Sequence, residues 1–406
     1  MEKKITVGHL LGIIFLVALI IRIAFILTLD NSVDVWGDWW DELGWSLAQG
    51  KGFQVLNPYF SDAMPFYSWR APGFPIFLAI IYRLFGHSFF AAKIALALLS
   101  ALTAVLLYAL GKEIFNKKTG ILAAGIYTIY PASIFWTGYL APETLASLLI
   151  ILLTLFAVKS IKSPHILLPL FTGIVLSTLI LTRSIGLLLI PVIPAFFFFH
   201  KKKKAWKPML LFFCGLLCLM PWTVRNWIIQ KSFVPVSAEG EVVLYIANNE
   251  RSLGEASGFY HNENIEEFRG MSEIEIDRKF YAMAFSFITK NPKTYARLVL
   301  DRFIRFWRLY PHTISGPGTS YTGIHILISI FTETPILLLG ICGLFLSKRR
   351  WRDLLFPYLI LTVFSFSHIL VRTTIRYRFP LMGLAILFTA YFLVAITQRS
   401  SSETTL

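Results

Sequence analysis

Apolar residues run in long blocks along this 406-residue chain, and polar residues gather between the blocks. A helix needs about 17–25 apolar residues to cross the hydrocarbon of a bilayer. Ten stretches reach or approach that length: Ile5–Leu29, Ser88–Gly111, Thr119–Thr137, Glu143–Val158, Ile166–Thr182, Ile185–His200, Lys207–Ile228, Tyr321–Leu346, Asp353–Val371 and Phe379–Ile396. The pattern predicts an all-α polytopic membrane protein with about ten transmembrane helices, Glu143–Val158 and Ile185–His200 being at the short end. Two segments are too polar for lipid, Asp30 to about His87 and Gln230 to about Ser320. In the first, Trp36, Trp40, Leu43 and Leu47 recur at helical spacing, and Asp34, Asp38 and Asp41 fall on the opposite face. That predicts an amphipathic helix on the membrane surface, holding three carboxylates away from lipid. Phe74–Phe85 is apolar but only about a dozen residues long, which suits an interfacial or re-entrant helix. The second segment has β-prone pieces at Phe233 to Ser237 and Val242 to Ile246, a Gly/Asn/Glu-rich stretch from Asn248 to Asn264, and a helical pattern from about Ser272 to Leu309. The expected organisation is a membrane module over 1–228 whose first outer loop is 30–87, a small mixed extracytoplasmic segment over 229–320, and C-terminal helices over 321–406.

Composition sharpens the class. With 56% hydrophobic and 15% charged residues and a mean hydropathy of +0.65, the chain carries more apolar side chain than a water-facing surface of this size could hide. The net charge of +15 does not point to nucleic acid, because the basic residues lie in short clusters between spans. Lys3-Lys4, Lys112 with Lys117-Lys118, Lys159 with Lys162, Lys201 to Lys204, Lys348 to Arg350 with Arg352, and Arg399 all fall on one side of a ten-span topology. The positive-inside rule makes that side the cytoplasm, with both termini there and the two polar segments outside a plasma membrane. The first apolar stretch is long and lacks an A-x-A-like cleavage site, so it reads as a retained signal anchor. Cys214, Cys218 and Cys342 sit inside spans and read as small apolar residues. His87, His261, His312 and His368 show no metal-ligand spacing, and no P-loop or dinucleotide fingerprint occurs. No cofactor is called for, although the outer aspartates leave a divalent cation open.

The run Trp69-Arg70-Ala71-Pro72-Gly73-Phe74-Pro75, continuing through Phe77-Leu78-Ala79 and Tyr82-Arg83-Leu84-Phe85-Gly86, resembles the R-P-P-G-Y-P…L…Y-x-L-F-G stretch of the dolichyl-phosphate-mannose protein mannosyltransferase-like family. That family belongs to the GT-C membrane glycosyltransferases and includes the aminoarabinose transferases of lipid A. Further matches are Leu47-Ala48 with Gly50 and Gly52-Phe53, Pro142-Glu143, Leu181-Thr182-Arg183, Pro221-Trp222 through Arg225-Asn226, and Arg376-Tyr377-Arg378-Phe379-Pro380, so the resemblance runs from about Asp34 to Pro380. It implies a GT-C type fold with outer-face surface helices. It also implies inverting transfer of a hexosyl or pentosyl unit from a polyprenyl-phosphate-linked donor to a hydroxyl of a protein, lipid or glycan acceptor, on the extracytoplasmic face.

Such a reaction needs a carboxylate to take the acceptor proton and cations to hold the lipid phosphate as it leaves. The family places an acidic residue at the start of the surface helix. Here Trp36 stands at that position, with Asp34 and Asp38 on either side. Asp38 is the first choice for the base, with Asp34 and Asp41 left open. Glu143 follows Pro142 at the outer start of a span, where it can favour the helix terminus electrostatically, orient the acceptor or pair with a basic residue. Arg372, Arg376 and Arg378 crowd a short outer loop against the positive-inside bias, and guanidinium matches phosphate geometry. Arg183, at the outer edge between two spans, is a similar candidate, while Arg70 can either anchor its Pro-Gly turn or bind phosphate. Arg22 and Lys93 lie within spans and require partners. Trp36, Trp39, Trp40, Trp45 and Trp69 suit an interfacial belt, or stacking on sugar rings. A transporter or lipid flippase would share the polytopic, basic-inside pattern, but would put ionisable groups near mid-membrane between repeats, and no half-to-half symmetry is seen. A membrane scaffold would leave the short-loop arginines without a purpose.

Overall fold

The computed structural model describes residues 6–31, 39–56, 65–238, 240–250, 252, 268, 270–311 and 323–403. Its helices are α1 (Val7–Leu27), α2 (Trp40–Ala48), α3 (Gly73–Phe85), α4 (Phe89–Ile114), α5 (Lys117–Ile129), α6 (Pro131–Phe135), α7 (Glu143–Lys162), α8 (Leu167–Thr182), α9 (Val192–Lys201), α10 (Trp206–Leu216), α11 (Met220–Gln230), α12 (Gly240–Ala247), α13 (Glu273–Lys290), α14 (Pro292–Phe306), α15 (Gly323–Leu346), α16 (Leu355–Val371), α17 (Ile375–Arg378) and α18 (Met382–Glu403). Among the described residues the only β pairing is the isolated antiparallel bridge between Val55 and Phe66.

Among the described residues seven helical runs are long and apolar enough to cross a bilayer, and α5 with α6 makes an eighth that is bent by 59°. Pro131 opens α6 and leaves Tyr130 extended (φ −67°, ψ 117°), because the residue before a proline is pushed out of the helical region. The other two predicted spans are the shorter apolar helices α8 and α16, of 16 and 17 residues. Of these, α8 packs against α10 backbone to backbone. A Cβ on Gly173 would stand 2.1 Å from the Phe212 carbonyl oxygen, and one on Gly215 2.2 Å from that of Leu170. Small residues at such crossings let membrane helices approach closely.

The two cations that the sequence places within spans, Arg22 and Lys93, have partners. Arg22 of α1 uses all five of its N–H groups: Nε on Ser100 Oγ (2.7 Å), Nη1 on the Ala18 and Thr128 carbonyls (2.9 and 3.0 Å), Nη2 on the Tyr127 carbonyl (3.3 Å) and Ser133 Oγ (2.7 Å). Lys93 donates to the Asp30 carbonyl (3.1 Å) and Asn31 Oδ1 (2.9 Å).

The two polar segments fold together into one lobe. Leu43, Phe53, Val55, Phe66 and Trp69 from the first share a core with Val242, Tyr245, Ile246, Ile276, Phe280 and Ala284 from the second. The β-prone reading of Val242 to Ile246 is overturned: this run lies inside α12, and Val242, Tyr245 and Ile246, at i, i+3 and i+4, are the residues it buries. The predicted helix from Ser272 to Leu309 is two helices, broken where Asn291 meets Pro292, and a capping box of Ser272 with Glu275 starts α13.

Glu273, beside that cap, fastens the segments to each other. Its carboxylate accepts from the Tyr67 and Ser68 amides (2.9 and 3.0 Å) and from Gln230 Nε2 (2.7 Å). Arg225 and Asn226 complete the clamp. Arg225 donates to the Tyr67 and Phe53 carbonyls (2.5 and 3.0 Å), and Asn226 Oδ1 accepts from Ser68 Oγ (3.2 Å). Burial pushes the Glu273 carboxyl above its ordinary value of 4.5, against the pull of the bonds it accepts. A carboxyl raised in the folded state contributes most below its unfolded value, and that contribution is lost as pH climbs through the folded one. Glu273→Gln is therefore expected to flatten the fall in thermal stability that begins as pH rises from about 4.5, measured as melting temperature against pH.

Candidate active site

Glu143 begins α7 directly after Pro142 and has no exposure to solvent. A helix N-terminus favours a carboxylate there, but burial still demands counter-charges. Two are supplied to one oxygen, Oε1: Arg183 Nη2 from the C-cap of α8, and Arg376 Nε from α17. Both arginine side chains keep a little exposure, 17% and 11%, while the carboxylate has none. Aromatic rings fix their planes. The Arg183 guanidinium lies 5.2 Å from the Tyr377 ring centre and that of Arg376 lies 5.9 Å from Trp136, with His368 stacked on Tyr377 at 4.6 Å. Among the described residues, the second oxygen of Glu143, buried, accepts no hydrogen bond, and the buried Arg372 Nε and Thr374 Oγ1 in the adjoining loop have no partner.

The Arg70–Gly73 turn is seated on the same centre. A Cβ on Gly73 would stand 2.6 Å from Thr182 Oγ1 and 2.8 Å from the Leu181 carbonyl, so the turn abuts the residues just before Arg183. The Arg70 guanidinium lies among the rings of Trp40, Trp69 and Trp39, at 5.1, 5.6 and 5.9 Å. Trp69 and Trp39 pack on the lobe core, whereas Trp40 packs on the core of the membrane body, edge-on to Phe74.

Of the three surface-helix aspartates, Asp34 and Asp38 lie outside the described residues. Asp41 departs from its expected solvated face. It is 7% exposed and accepts from Tyr82 Oη (2.5 Å), with His87 Nε2 at 2.9 Å, and His87 stacks on Trp45 at 4.5 Å. Gly44, one turn on, explains the inward turn: a Cβ there would meet Leu78 Cβ at 2.7 Å, so this face of α2 lies flush on α3.

Arg378 has different surroundings from Arg376. It is buried, with Nη2 on Glu333 Oε2 at 2.9 Å and Nη1 on the Phe306 and Arg308 carbonyls at 2.9 and 2.8 Å. Glu333 also accepts from Tyr130 Oη. Sequence reasoning passed over Glu333 and Glu273, took Tyr82 only as part of the family motif and weighed His87 only as a metal ligand. Glu333 had a signal, a lone acid inside the apolar stretch Tyr321–Leu346, and the others had none that spacing could reveal. A largely apolar cavity of about 140 Å³, lined by Phe135, Ile328, Phe379 and Met382, has Glu333 and Arg378 in its wall and shares Trp136 with the Arg376 contact.

The family model for dolichyl-phosphate-mannose-protein mannosyltransferase matches residues 69–227, a segment that contains the Pro-Gly turn, Glu143, Arg183 and the Arg225-Asn226 clamp. The fold is similar to that of the archaeal oligosaccharyltransferase AglB from Archaeoglobus fulgidus, solved with an inhibitory peptide and a dolichol-phosphate (TM-score 0.60, 14% identity, 98% of this chain and 51% of that one). It is also similar to that of ArnT from Cupriavidus metallidurans bound to undecaprenyl phosphate (TM-score 0.52, 11% identity, 98% of this chain and 62% of that one). The chain has the GT-C fold. The mannosyltransferase-like resemblance read from the sequence is borne out, with the family model matching over residues 69–227. This GT-C chain spans about half the length of the oligosaccharyltransferase it matches, and no curated protein matches it by sequence.

Gly73→Ala tests the seating of the turn. The added methyl forces the turn off α8 at an overpacking cost of about 1–3 kcal/mol. A lower melting temperature is expected, together with loss of the close approach between residues 70–73 and 181–183, checked by cysteine cross-linking across that contact.

Proposed function

We propose that this chain transfers a sugar from a polyprenyl-phosphate donor to an acceptor hydroxyl on the extracytoplasmic face of the plasma membrane, which is the face carrying the lobe. The observation that carries the reading is the convergence of Arg183 and Arg376 on buried Glu143 at the lobe side of a GT-C body. In the proposed step the acceptor oxygen attacks the anomeric carbon as the bond from that carbon to the phosphate oxygen breaks. The pair of electrons leaves with polyprenyl phosphate, and the acceptor proton passes to a carboxylate. Arg183 and Arg376 would take up the charge that grows on the departing phosphate. Glu143 would hold both guanidinium groups in register. Asp38 is the proposed base, with Asp34 and Asp41 as alternatives. Asp41 already holds Tyr82 and His87, which favours the other two.

Arg70 and Arg372 flank the centre as secondary phosphate contacts. For Arg378 a structural role is proposed instead, because Glu333 and two carbonyls occupy it. The apolar cavity beside Trp136 suits the first prenyl units. The acceptor class and the choice of hexosyl or pentosyl unit would follow from the lobe. The buried Glu333–Arg378 pair favours one second reading, a transporter or flippase, since ionisable pairs within spans often mark translocation paths.

The two readings separate in one assay. Purified wild type is supplied with a panel of synthetic polyprenyl-phosphate sugars and membrane extract, and release of polyprenyl phosphate is followed. Turnover is expected in wild type and a loss of about a hundredfold or more in Arg376→Ala, the size seen when a charge-stabilising donor is removed. Asp38→Asn is expected to fall at least as far. If folded wild type consumes no donor and liposomes show protein-dependent lipid movement, the transferase reading is wrong.

A further inference from the structure

The loop that carries Arg372 and leads into Arg376 is fastened at both ends by one helix outside the spans, α14. Before the loop, the Leu370 carbonyl in the last turn of α16 accepts from Arg302 Nη1 (3.0 Å) and from Tyr295 Oη (3.2 Å), both on α14. After the loop, Arg378 Nη1 donates to the Phe306 and Arg308 carbonyls at the end of α14 (2.9 and 2.8 Å).

Arg302 is fully buried, and its Nη1 and Nη2 donate to uncharged acceptors. Nη1 takes the Leu370 carbonyl, and Nη2 takes the Ala247 carbonyl and Asn248 Oδ1 (2.8 Å) at the end of α12. Two helix C-termini therefore meet on one guanidinium. The partial negative charge at each helix end stands in for a carboxylate, which explains how a cation can be kept there. Burial lowers the Arg302 pKa to about 10, so it stays charged at neutral pH. Because α12 shares the lobe core with Phe66 and Trp69, the same guanidinium links the first polar loop to the arginine loop.

We propose that Arg302 is a positioning residue for Arg376: through it α14 clamps the arginine loop and, by way of α12, sets that loop against the lobe. The catalytic meaning of this clamp rests on the reading of Arg376 as a phosphate-binding residue, but the clamp itself is measurable without turnover.

Hydrogen–deuterium exchange of the full chain in lipid nanodiscs reads it directly, with wild type, Arg302→Gln, Arg302→Lys and Tyr295→Phe compared. In Arg302→Gln, peptides over 371–378 are expected to exchange about tenfold faster or more, with peptides over 240–248 following and those of α4 and α7 unchanged. Arg302→Lys keeps a cation and is expected to recover part of the protection. Where donor turnover is measurable, the apparent KM for donor rises about fivefold in Arg302→Gln and falls back in Arg302→Lys, a split that general loss of fold does not produce. Unchanged exchange over 371–378 in folded Arg302→Gln overturns the proposal. Should that variant not fold, Tyr295→Phe decides: about threefold faster exchange confined to 371–378 supports the clamp, and none overturns it. Absence of turnover in wild type contradicts the transferase reading alone and leaves the exchange result standing.

Discussion

A carboxylate removed from water needs partners, and the whole lobe-facing end of this GT-C body is arranged around one. Glu143 has no solvent exposure, and losing one member of such a buried cluster costs about 3–5 kcal/mol. Its partners, Arg183 and Arg376, come from positions far apart in the chain, so α7, α8 and α17 must meet at one place. The contacts around this triad follow from that demand. Gly73 lets the Arg70 turn close on α8, and Trp136 and Tyr377 offer their faces to the two guanidinium groups.

A second regularity is the way three further cations, Arg22, Arg225 and Arg302, are answered. Arg22 is bound by hydroxyls and carbonyls, Arg225 by the Tyr67 and Phe53 carbonyls, and Arg302 by the ends of two helices. In a layer with little water, backbone carbonyls are the most abundant acceptors, and the last turn of a helix leaves them free. Arginine, with five N–H groups on a rigid fork, can tie several such ends together. The chain uses this to join its two polar segments to the spans without a separate domain.

The membrane body was largely legible, because bilayer thickness imposes a length on apolar runs and lysine clusters alternate with them. The turn at Trp69 to Gly73 was legible as a motif, and its reason, contact with Leu181 and Thr182, was not, since that depends on a residue pair more than a hundred positions apart. Arg376 and Arg183 stood out because arginine in a short loop that the charge pattern assigns to the outside has no topological excuse. Arg378, two residues from Arg376, looked the same in sequence and turns the opposite way, toward Glu333. A one-dimensional pattern sees the loop but not which side of it each side chain takes. Asp41 was misjudged for a similar reason: helical spacing put it opposite the apolar face, and α3 covers that face too. Val242 to Ile246 was read by β propensity although its i, i+3, i+4 spacing already suited a helix.

The most direct test of the central claim is the affinity of the purified chain for undecaprenyl phosphate, measured against undecaprenol, in wild type and in Arg376→Ala. The account predicts that wild type binds the phosphate form at least about tenfold more tightly than the alcohol, as expected when a charge-assisted guanidinium contact is made. It also predicts that Arg376→Ala loses most of this preference while still binding the prenyl chain. Equal binding of phosphate and alcohol by wild type, or an unchanged preference in a folded Arg376→Ala, would contradict it.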